Sequence, residues 1–493
     1  MKVILVSLFL TTFLAFLFLK HILKRTTKVN LPPSPWRFPV IGNLHQLSLY
    51  PHRSLRSLSL RYGPLMLLHF GHVPIILVSS AEVARDVMKT YDLKFANRPK
   101  TKMVDILLNG GRDLVFSPYG EYWRQMKSIC VQNLLNSKTV RSFENIREEE
   151  INVMMEKLEK ASSSSSTVNL SELISDLTND VITRIVFGRK YSFEEGSDIS
   201  RGILRKFMEL FGAFPLGEYI PSLAWIDRVR GLDNKVEEVN NQIDGFLERV
   251  VQEHEDADEV KSSFFSILLS VQRDKTAQFE LDRSGLKIML FDMLLGGSAT
   301  TFTLLEWTMT ELMRHPECMK KLQEEIRLIS TRSLHVSEKE VEKMNYLHVV
   351  IKEVLRIHPP APLLPRLLSE DVKLHGYDIA AGTQVLINLW TIQRDTKTWG
   401  PDSEEFRPER HLDSPLDFQG QNFNFIPFGS GRRGCPGIEF ALGLVEVTLA
   451  NLVNRFEWRV EGGGKPDVFE ATGIEVCRKF PLVVCPSSTL FSL

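Results

Sequence analysis

The segment 427–437 reads Pro-Phe-Gly-Ser-Gly-Arg-Arg-Gly-Cys-Pro-Gly, and it constrains the fold more than any other part of the chain. Its glycines let the backbone turn tightly and approach a flat ligand without Cβ clashes. Ile438–Phe456, which follows, is apolar at helical spacing. This places Cys435 just before a helix N-terminus, where backbone N–H groups favour a negatively charged sulfur. We expect Arg432 and Arg433 to lower the free energy of a nearby thiolate or ligand carboxylate.

A thiolate held in this way suits the iron of a haem group as an axial ligand. The segment is similar to the haem-binding signature Phe-x-x-Gly-x-Arg-x-Cys-x-Gly of the cytochromes P450. A buried structural cysteine in a Gly-rich turn is the alternative, and five matching positions in one decapeptide argue against it. The resemblance implies haem b as cofactor, Cys435 as its iron ligand, and a haem-binding role for every matching position: Phe428, Gly431, Arg433, Cys435 and Gly437.

The composition fits a large globular domain. The chain has 493 residues with ordinary apolar and charged fractions, enough for a sizeable core. Its 60 basic and 61 acidic residues nearly cancel, so the totals indicate no nucleic-acid partner. The five cysteines show neither metal-site spacing nor a disulfide framework, which fits a reducing compartment.

The N-terminus differs from the rest of the chain. Val3–Leu19 carries no charge and is at the short end of a membrane span. Only Lys2 precedes this run, whereas four basic residues follow it: Lys20, Lys24, Arg25 and Lys28. The asymmetry predicts an anchor whose downstream chain is cytosolic. A cleaved signal peptide is the alternative, but the run is long for one and no small-x-small site follows it. The sequon at Asn169 should then stay unglycosylated.

Leu31–Pro35 reads Leu-Pro-Pro-Ser-Pro, a stiff extended segment with no helix option. It resembles the Pro-rich hinge of microsomal P450s, and Phe38–Leu44 resembles the family's entry to the domain. Ser162–Ser166 is typical of a surface loop, and neither a second linker nor a repeat is evident. The predicted organisation is a transmembrane anchor (1–24), a basic and Pro-rich hinge (25–37) and one P450 haem domain (38–493).

Apolar stripes with charged faces predict several helices: Glu148–Lys160, Val236–Glu255, Ser284–Arg314 and Lys339–Ile357. Short β-rich runs predict strands at Leu65–Phe70, Ile75–Val78 and Val385–Leu389. The fold class is therefore mainly α with small β-sheets, consistent with the P450 fold. The resemblance covers essentially the whole chain and is nearest to plant microsomal monooxygenases of the large clan that makes specialised metabolites.

Glu353 and Arg356 lie three apart on one predicted helix face, a spacing that by itself is usually solvated surface. Further on, 406–411 reads Phe-Arg-Pro-Glu-Arg-His. Together they resemble the family's Glu-x-x-Arg helix and Pro-Glu-Arg loop. The resemblance implies that Glu353, Arg356 and Arg410 form a buried network behind the Cys435 loop.

Trp123 and Lys127 lie four apart on a predicted helix, and both side chains are good donors to a carboxylate. They resemble the Trp-x-x-x-Arg/Lys helix that meets the haem propionates in the family, with an amphipathic surface helix as the alternative. Arg433 is a third propionate candidate. Arg124 and Arg432, together with Lys127 and Arg433, are candidates for docking a reductase on the thiolate side.

The helix predicted at 284–314 contains Leu-Gly-Gly-Ser-Ala-Thr-Thr at 295–301. Two glycines inside a helix cost about 1 kcal/mol each relative to alanine, which an ordinary core helix would avoid. The segment resembles the family pattern that passes over the oxygen-binding face of the haem. Gly296 and Gly297 are then expected to leave room for dioxygen and substrate, and Thr300 matches the threonine whose hydroxyl relays protons.

The family's acidic position before that threonine is Ala299, which cannot gather protons from solvent. We expect Ser298, Thr300 and Thr301 to relay protons with water. With alanine at 299, monooxygenation is still the interpretation. A second interpretation is an oxygen-independent haem dehydratase or isomerase, for example one that dehydrates aldoximes. A non-catalytic haem-binding protein is the third.

A second departure follows the Glu-x-x-Arg helix. The segment 358–366 reads His-Pro-Pro-Ala-Pro-Leu-Leu-Pro-Arg, one residue shorter than in close relatives. A one-residue change can turn side chains to the other face of a strand or force a bulge. It puts in question the pocket shape and a contact of Arg366 with the haem propionates.

The resemblance places the substrate pocket between segments dominated by apolar side chains: 100–118, parts of 207–221, 289–300, 361–365 and 472–474. An apolar small molecule is the natural ligand of such walls. The expected protein is a single-pass, anchored haem-thiolate monooxygenase on the cytosolic face of the endoplasmic reticulum. Its electrons would come from NADPH through a separate NADPH-cytochrome P450 reductase, because no flavin or Gly-x-Gly-x-x-Gly motif is found in the sequence.

Overall fold

The computed structural model describes residues 29–191, 199–256, 263–273, 281–330 and 335–489. The predicted anchor and residues 25–28 of the predicted hinge lie outside these described residues. Within them the protein is mainly helical with three small sheets of two to four strands. The predicted fold class is therefore confirmed.

The α-helices are α1 (Pro51–Tyr62), α2 (Ala81–Arg85), α3 (Lys102–Leu107), α4 (Glu121–Asn133), α5 (Ser137–Ser142), α6 (Glu144–Ser163), α7 (Leu170–Phe187), α8 (Ile199–Phe211), α9 (Leu216–Tyr219), α10 (Ala224–Val229), α11 (Leu232–Glu255), α12 (Phe264–Arg273), α13 (Arg283–Arg314), α14 (Pro316–Ile329), α15 (Glu338–Val341), α16 (Asn345–Ile357), α17 (Leu389–Ile392), α18 (Thr396–Trp399) and α19 (Ile438–Arg455). The strands are β1 (Leu65–Phe70), β2 (Val73–Val78), β3 (Val168–Asn169), β4 (Leu363–Leu367), β5 (Val372–Leu374), β6 (Tyr377–Ile379), β7 (Gln384–Asn388), β8 (Phe456–Val460) and β9 (Val483–Ser488).

The largest sheet has the strand order β1-β2-β7-β4. Strands β1 and β2 form an antiparallel hairpin, β2 runs parallel to β7, and β4 is antiparallel to β7. The remaining sheets are β3-β9-β8 and the β5-β6 hairpin. The predicted strands correspond to β1, β2 and β7, with ends that differ by up to two residues.

Three of the four predicted helices lie within α6, α11 and α13, but the single helix predicted at 339–357 is wrong. A turn at residues 342–344 separates α15 from α16. Val341, Met344 and Leu347 are all buried in the same core cluster. Their spacing therefore continues a helical pattern across the turn although the backbone does not.

Helix α13 is the longest helix in the described part of the chain, and it begins where Asp282 caps it by accepting a hydrogen bond from Gly285 N at 2.8 Å. Its length and hydropathy would allow it to cross a membrane, and within the described ranges it alone meets that test. Most of it is buried inside the protein, however, so it is the central core helix. It packs against α7, α16 and α19.

The described part of the predicted hinge, residues 29–37, is extended and hydrogen-bonded to the sheets. The Leu67 N–H of β1 donates to the Pro33 carbonyl at 2.9 Å, and the Asp378 N–H of β6 donates to the Asn30 carbonyl at 2.7 Å. The chain thus joins the domain along β1 and β6.

Candidate functional site

A cavity of about 300 Å³ lies between α13 and the loop that precedes α19. Its walls are mostly apolar, and they include side chains from α4, α7, α13, β4 and α19. The loop contributes Cys435, and α13 contributes the face that carries Thr300. One enclosed space therefore contains both of the sequence features that suggested chemistry.

The Cys435 loop is closed by backbone hydrogen bonds. Cys435 N donates to the Phe428 carbonyl at 2.9 Å, and Gly434 N donates to the Gly431 carbonyl at 3.0 Å. Gly431 has a φ of +71°, and a Cβ there would lie 2.2 Å from the Met88 carbonyl oxygen. Only glycine fits this close backbone approach. The Cys435 side chain is held exposed to the interior of the cavity.

The surroundings of the Cys435 sulfur act in opposite directions. Burial raises the pKa of the Cys435 thiol, whereas the Gly437 N–H, 3.4 Å from Sγ, and the charge of Lys127 lower the pKa. Of the two arginines expected to act on a thiolate or a ligand carboxylate, neither is among the groups that lower the pKa of the sulfur. Arg432 pairs with Asp92 at 2.9 Å, and Arg433 donates to backbone carbonyls. Lys127 is the cation that acts on the sulfur.

Trp123 and Lys127 share one face of α4 beside the loop, as their spacing predicts. Lys127 Nζ lies 5.1 Å from the Trp123 ring centroid and donates to the Arg432 carbonyl at 2.6 Å. Trp123 Nε1 donates to the Leu114 carbonyl at 2.9 Å. The Arg433 guanidinium stacks 4.3 Å from the same indole ring. All three predicted propionate donors therefore meet on one wall of the cavity.

Two further arginines lie close to this wall: Arg98 lines the cavity, whereas Arg366 is buried and is not one of its lining residues. Arg98, which the sequence reasoning missed, lines the cavity and donates from Nε to the Val115 carbonyl at 2.9 Å. Arg366 is 1% exposed, and its Nε, Nη1 and Nη2 have no hydrogen-bond partner in the described part of the chain. Burial, with repulsion from Arg433, lowers the pKa of Arg366 to about 10. The sequence around Arg98, Phe-Ala-Asn-Arg-Pro at 95–99, carries no signal that points to the cavity.

These residues fit a haem group. A buried guanidinium without a partner is costly and calls for an anion. The propionates of haem b are such anions, and Arg98 and Arg433 line the same cavity as Cys435, with Arg366 buried beside Arg433. Gly296 adds free space, because a Cβ there would meet no atom within 4 Å. Cys435 would hold the iron, and Arg98, Arg366 and Arg433 would hold the carboxylates.

Replacing Arg366 with leucine is expected to weaken haem retention by about 10- to 100-fold, the worth of a hydrogen bond to a charged group. The same change removes an unpaired buried charge from the haem-free protein, so it should raise the melting temperature of that form. Haem transfer to apomyoglobin and thermal unfolding with and without haem measure both effects. Arg459→Leu on the exposed side of β8 is the control. Equal destabilisation of both forms would show that Arg366 serves packing alone.

The two glycines of α13 differ in their surroundings. Gly296 is open to the cavity, as expected of a residue that leaves room for a ligand. At Gly297, which also lines the cavity, a Cβ would lie 2.6 Å from Ile182 Cδ1 on α7. Gly297 therefore allows α7 and α13 to approach closely.

Thr300 and Thr301 line the cavity, whereas Ser298 is buried and is not part of its wall. Two residues along a helix turn the side chain by about 200°, which places Ser298 on the far side of α13 from Thr300. Thr300 Oγ1 donates to the Gly296 carbonyl at 2.8 Å and keeps its lone pairs available. Thr301 Oγ1 is buried and has no hydrogen-bond partner among the described residues. The structure thus brings two of the three predicted relay residues to the site.

Glu353, Arg356 and Arg410 form one buried network. Glu353 accepts from Arg356 Nε at 2.7 Å, from Arg410 Nε at 2.8 Å and from His411 Nε2 at 2.9 Å. Burial alone would raise the pKa of Glu353, but the hydrogen bonds from Arg356 and His411 lower the pKa to about 2. Sequence reasoning missed His411, which follows Arg410 directly. Loss of one member strands a buried charge, at a cost of roughly 3–5 kcal/mol.

The network reaches the Cys435 loop through Gln393. Arg356 Nη1 donates to the Gln393 carbonyl at 3.0 Å. The side-chain oxygen of Gln393 accepts from Ile426 N at 3.2 Å, two residues before Phe428. The network therefore fixes the start of the segment that carries the cysteine.

The shortened segment before Arg366 forms a regular strand. Strand β4 pairs with β7 in unbroken register from Leu363 opposite Asn388 to Leu367 opposite Gln384, without a bulge. Leu364 lines the cavity, and Arg366 is on the same side because side chains alternate along a strand. The regular strand thus places Arg366 close to Arg433, buried and outside the lining of the cavity itself.

The predicted pocket walls are found in part. Leu114, Met293 and Leu364, from three of the predicted segments, line the cavity. None of its lining residues comes from 207–221 or 472–474. The first of these segments packs nearby, since the Phe116 and Phe211 rings lie 5.1 Å apart.

Comparison with known proteins agrees with this geometry. The family model for cytochrome P450 matches residues 32–485. Cytochrome P450 71A20 of Arabidopsis thaliana is 65% identical over 99% of this chain and all of its own length. Indoleacetaldoxime dehydratase of the same plant is 63% identical over 98% of this chain and 99% of its own.

Among solved structures, a zebra fish cytochrome P450 with abiraterone matches with a TM-score of 0.75. It is 24% identical, and the match covers 89% of this chain and 99% of that chain, so it shows the shared fold. With a matching family model over most of the chain and relatives above 60% identity, the chain belongs to the cytochrome P450 family, the haem-binding oxidoreductases of the monooxygenase class.

Proposed function

We propose that the protein inserts one oxygen atom of dioxygen into an apolar, small specialised metabolite, with electrons from NADPH supplied by a separate NADPH-cytochrome P450 reductase. The observation that carries the proposal is the single cavity that holds both the Cys435 thiol and the Thr300 face of α13. Haem, when bound, supplies the oxygen activation. The second oxygen atom leaves as water with two protons and two electrons.

The residues around the cavity support this reaction. Side chains such as Leu114, Met293 and Leu364 would orient an apolar substrate and exclude bulk water. Thr300 would hold a proton at Oγ1 on the open side of Gly296, and Thr301 would accept or donate a second hydrogen bond. With Ala299 in place of an acid, water in the cavity would have to complete the relay.

A second candidate is oxygen-independent dehydration of an aldoxime. Two observations favour it: the alanine at 299, and the similarity to a relative whose name is indoleacetaldoxime dehydratase. Haem would then act as a Lewis acid, and no reductase-driven oxygen insertion would be needed. A non-catalytic haem-binding protein is the third reading, in which no turnover is expected.

Incubation of the reconstituted protein with a plant metabolite extract, read by mass spectrometry, tests the proposal. A monooxygenase gives products one oxygen heavier only when NADPH and reductase are present. A dehydratase gives products lighter by one water without dioxygen. The absence of any change with every combination would leave only the non-catalytic reading.

The reductase would approach the surface outside the Cys435 loop. Of the four basic candidates there, Arg124 and Arg432 have exposed side chains. Arg433 is buried, and Lys127 is engaged with loop carbonyls. The docking proposal therefore rests on Arg124 and Arg432, while Lys127 and Arg433 belong to the haem wall.

Exposed apolar side chains next to the predicted hinge support attachment to a membrane. Trp36, Phe38 and Val40 are exposed on the segment that joins β1. This segment meets the β1-β2 turn, where His72 N donates to the Tyr219 carbonyl of α9, and the following α10 exposes Trp225. Tryptophan favours the membrane interface. We propose that this face lies on the cytosolic side of the endoplasmic reticulum, beside a single-pass anchor.

The protein should therefore stay with membranes during alkaline carbonate washing, and protease should digest its domain in sealed microsomes without detergent. Asn169 caps α7 by accepting from Glu172 N at 3.2 Å, so a glycan there would compete with the fold as well. A glycan at Asn169, or a protease-resistant domain, would place the domain in the lumen and overturn the topology.

A further inference from the structure

A carboxyl group that the oxygen chemistry does not use lines the same cavity. Asp292 on α13 is 7% exposed and forms part of the cavity wall. It lies eight residues before Thr300 on the same face of the helix, which corresponds to about 12 Å along the helix axis. A second acid, Asp113, is 1% exposed in the loop between α3 and α4. Asp292 thus lines the cavity about 12 Å from Thr300 along α13, and Asp113 is a charged neighbour of it outside the lining.

Only one oxygen of the Asp292 carboxyl group is hydrogen-bonded within the described part of the protein. Its Oδ2 accepts a hydrogen bond from Leu114 N at 2.7 Å, and Oδ1 has no partner among the described residues. Asp113 also uses one oxygen: its Oδ2 accepts from Val115 N at 3.0 Å and from Phe116 N at 2.9 Å, while its Oδ1 is buried without a partner among the described residues. Holding the loop explains one oxygen of Asp292. The other is free to meet a molecule in the cavity.

The surroundings keep a proton on Asp292. Burial raises the pKa of Asp292 well above its usual range, and the negative charge of Asp113 raises the pKa further. For Asp113, burial raises the pKa to about 6 against the lowering effect of its two N–H donors and Arg98. The other titratable groups that face Asp292, Tyr122 and Cys130 on α4, carry no positive charge. The negative charge of the pair therefore resides on Asp113, which accepts the two backbone hydrogen bonds.

We propose that Asp292 is a ligand-recognition residue whose protonated carboxyl group donates a hydrogen bond to an acceptor oxygen or nitrogen of a neutral, otherwise apolar ligand. The acceptor would lie about 12 Å along α13 from Thr300, at the opposite end of the ligand from the atom that reacts. This inference rests on the proposed function, because it takes the cavity as the substrate pocket. It adds the kind of polar group that a substrate carries and the place where that group binds.

Equilibrium dialysis of the haem-loaded protein against three probes of one shape tests the proposal. The probes are 4-phenylcyclohexanone, phenylcyclohexane and the 4-phenylcyclohexyl-trimethylammonium ion, which cannot ligate iron. The wild-type protein should bind the ketone about tenfold more tightly than either of the others, as one hydrogen bond in an apolar site allows. Binding is read without turnover, so this result does not depend on whether the protein oxidises anything.

Two substitutions at the same position separate the possible roles. Asn at 292 can accept from Leu114 N and donate with its amide, so Asp292→Asn should keep the ketone preference within about threefold. Leucine can neither accept nor donate, so Asp292→Leu should bring the ratio of ketone affinity to hydrocarbon affinity close to one. The hydrocarbon affinity of the same variant is the internal control for an intact pocket. If the leucine variant loses haem, the ketone preference of the wild-type protein and of Asp292→Asn tests the proposal.

Equal binding of ketone and hydrocarbon by the wild-type protein would overturn the proposal, even if the protein proves to be a monooxygenase. Tightest binding of the trimethylammonium probe, lost in Asp292→Asn, would also overturn it and show that Asp292 binds cations as a carboxylate. Conversely, a ketone preference in a protein that dehydrates its substrate would sustain the recognition role while the proposed oxygenation fails.

Discussion

Replacing Cys435 with serine is expected to abolish the thiolate absorption band of the reduced carbon-monoxide complex. Serine keeps the size of the side chain but replaces the sulfur with oxygen, and the band depends on a thiolate ligand. Nothing else in the cavity wall replaces the sulfur, because the other lining residues near the loop are apolar or cationic. Difference spectroscopy of the reduced protein with carbon monoxide measures the band, and activity should be lost with it.

Cys485→Ser is the matched control, since Cys485 lies in β9 and is not part of the cavity wall. It should keep the band at full height per haem. Arg98, Arg366 and Arg433 are untouched in both variants, so some haem should remain bound in the Cys435 variant. Persistence of the thiolate band in that variant would show that another residue holds the iron.

The sequence allowed the general architecture to be predicted because its signals are local. The Cys435 loop, the Glu353 helix and the paired glycines of α13 are short motifs whose backbone demands are visible in the residue types. Strand β1 was found at its predicted bounds for the same reason. Where a periodic pattern crosses a turn, as at Met344, the sequence overstates the length of a helix.

Contacts between distant segments could not be predicted in this way. Arg98 and Arg366 are 268 positions apart, yet they are neighbours, because β4 carries Arg366 to the loop that holds Arg98. The pairing of Gly297 with Ile182 and the approach of Asp292 to Leu114 likewise depend on how α13 packs. Such contacts are set by tertiary geometry, which residue spacing within one segment does not contain.

Replacing Thr300 with alanine is expected to slow product formation by about 10²- to 10⁴-fold, the usual contribution of a positioned proton donor, and to divert reduced cofactor to hydrogen peroxide. In the structure the Thr300 hydroxyl is the group on α13 that both faces the cavity and is fixed by a hydrogen bond, to the Gly296 carbonyl. Hydrogen peroxide release per NADPH consumed measures the effect. Thr300→Ser, which retains the hydroxyl, is the control and should stay close to the wild type.

Ala299→Asp helps to distinguish a monooxygenase from a dehydratase, because it introduces the acid that the family pattern has before the threonine. In a monooxygenase it should keep or improve coupling, since an acid next to Thr300 can gather protons from solvent. In a dehydratase, neither substitution makes product formation depend on dioxygen, and turnover continues under argon. We expect the first pattern, because Gly296 keeps the space beside Thr300 open. Undiminished product formation without oxygen, with no label from ¹⁸O₂ in the product, would instead show that the cavity catalyses dehydration. Ala299 would then be the residue that distinguishes this protein from a monooxygenase.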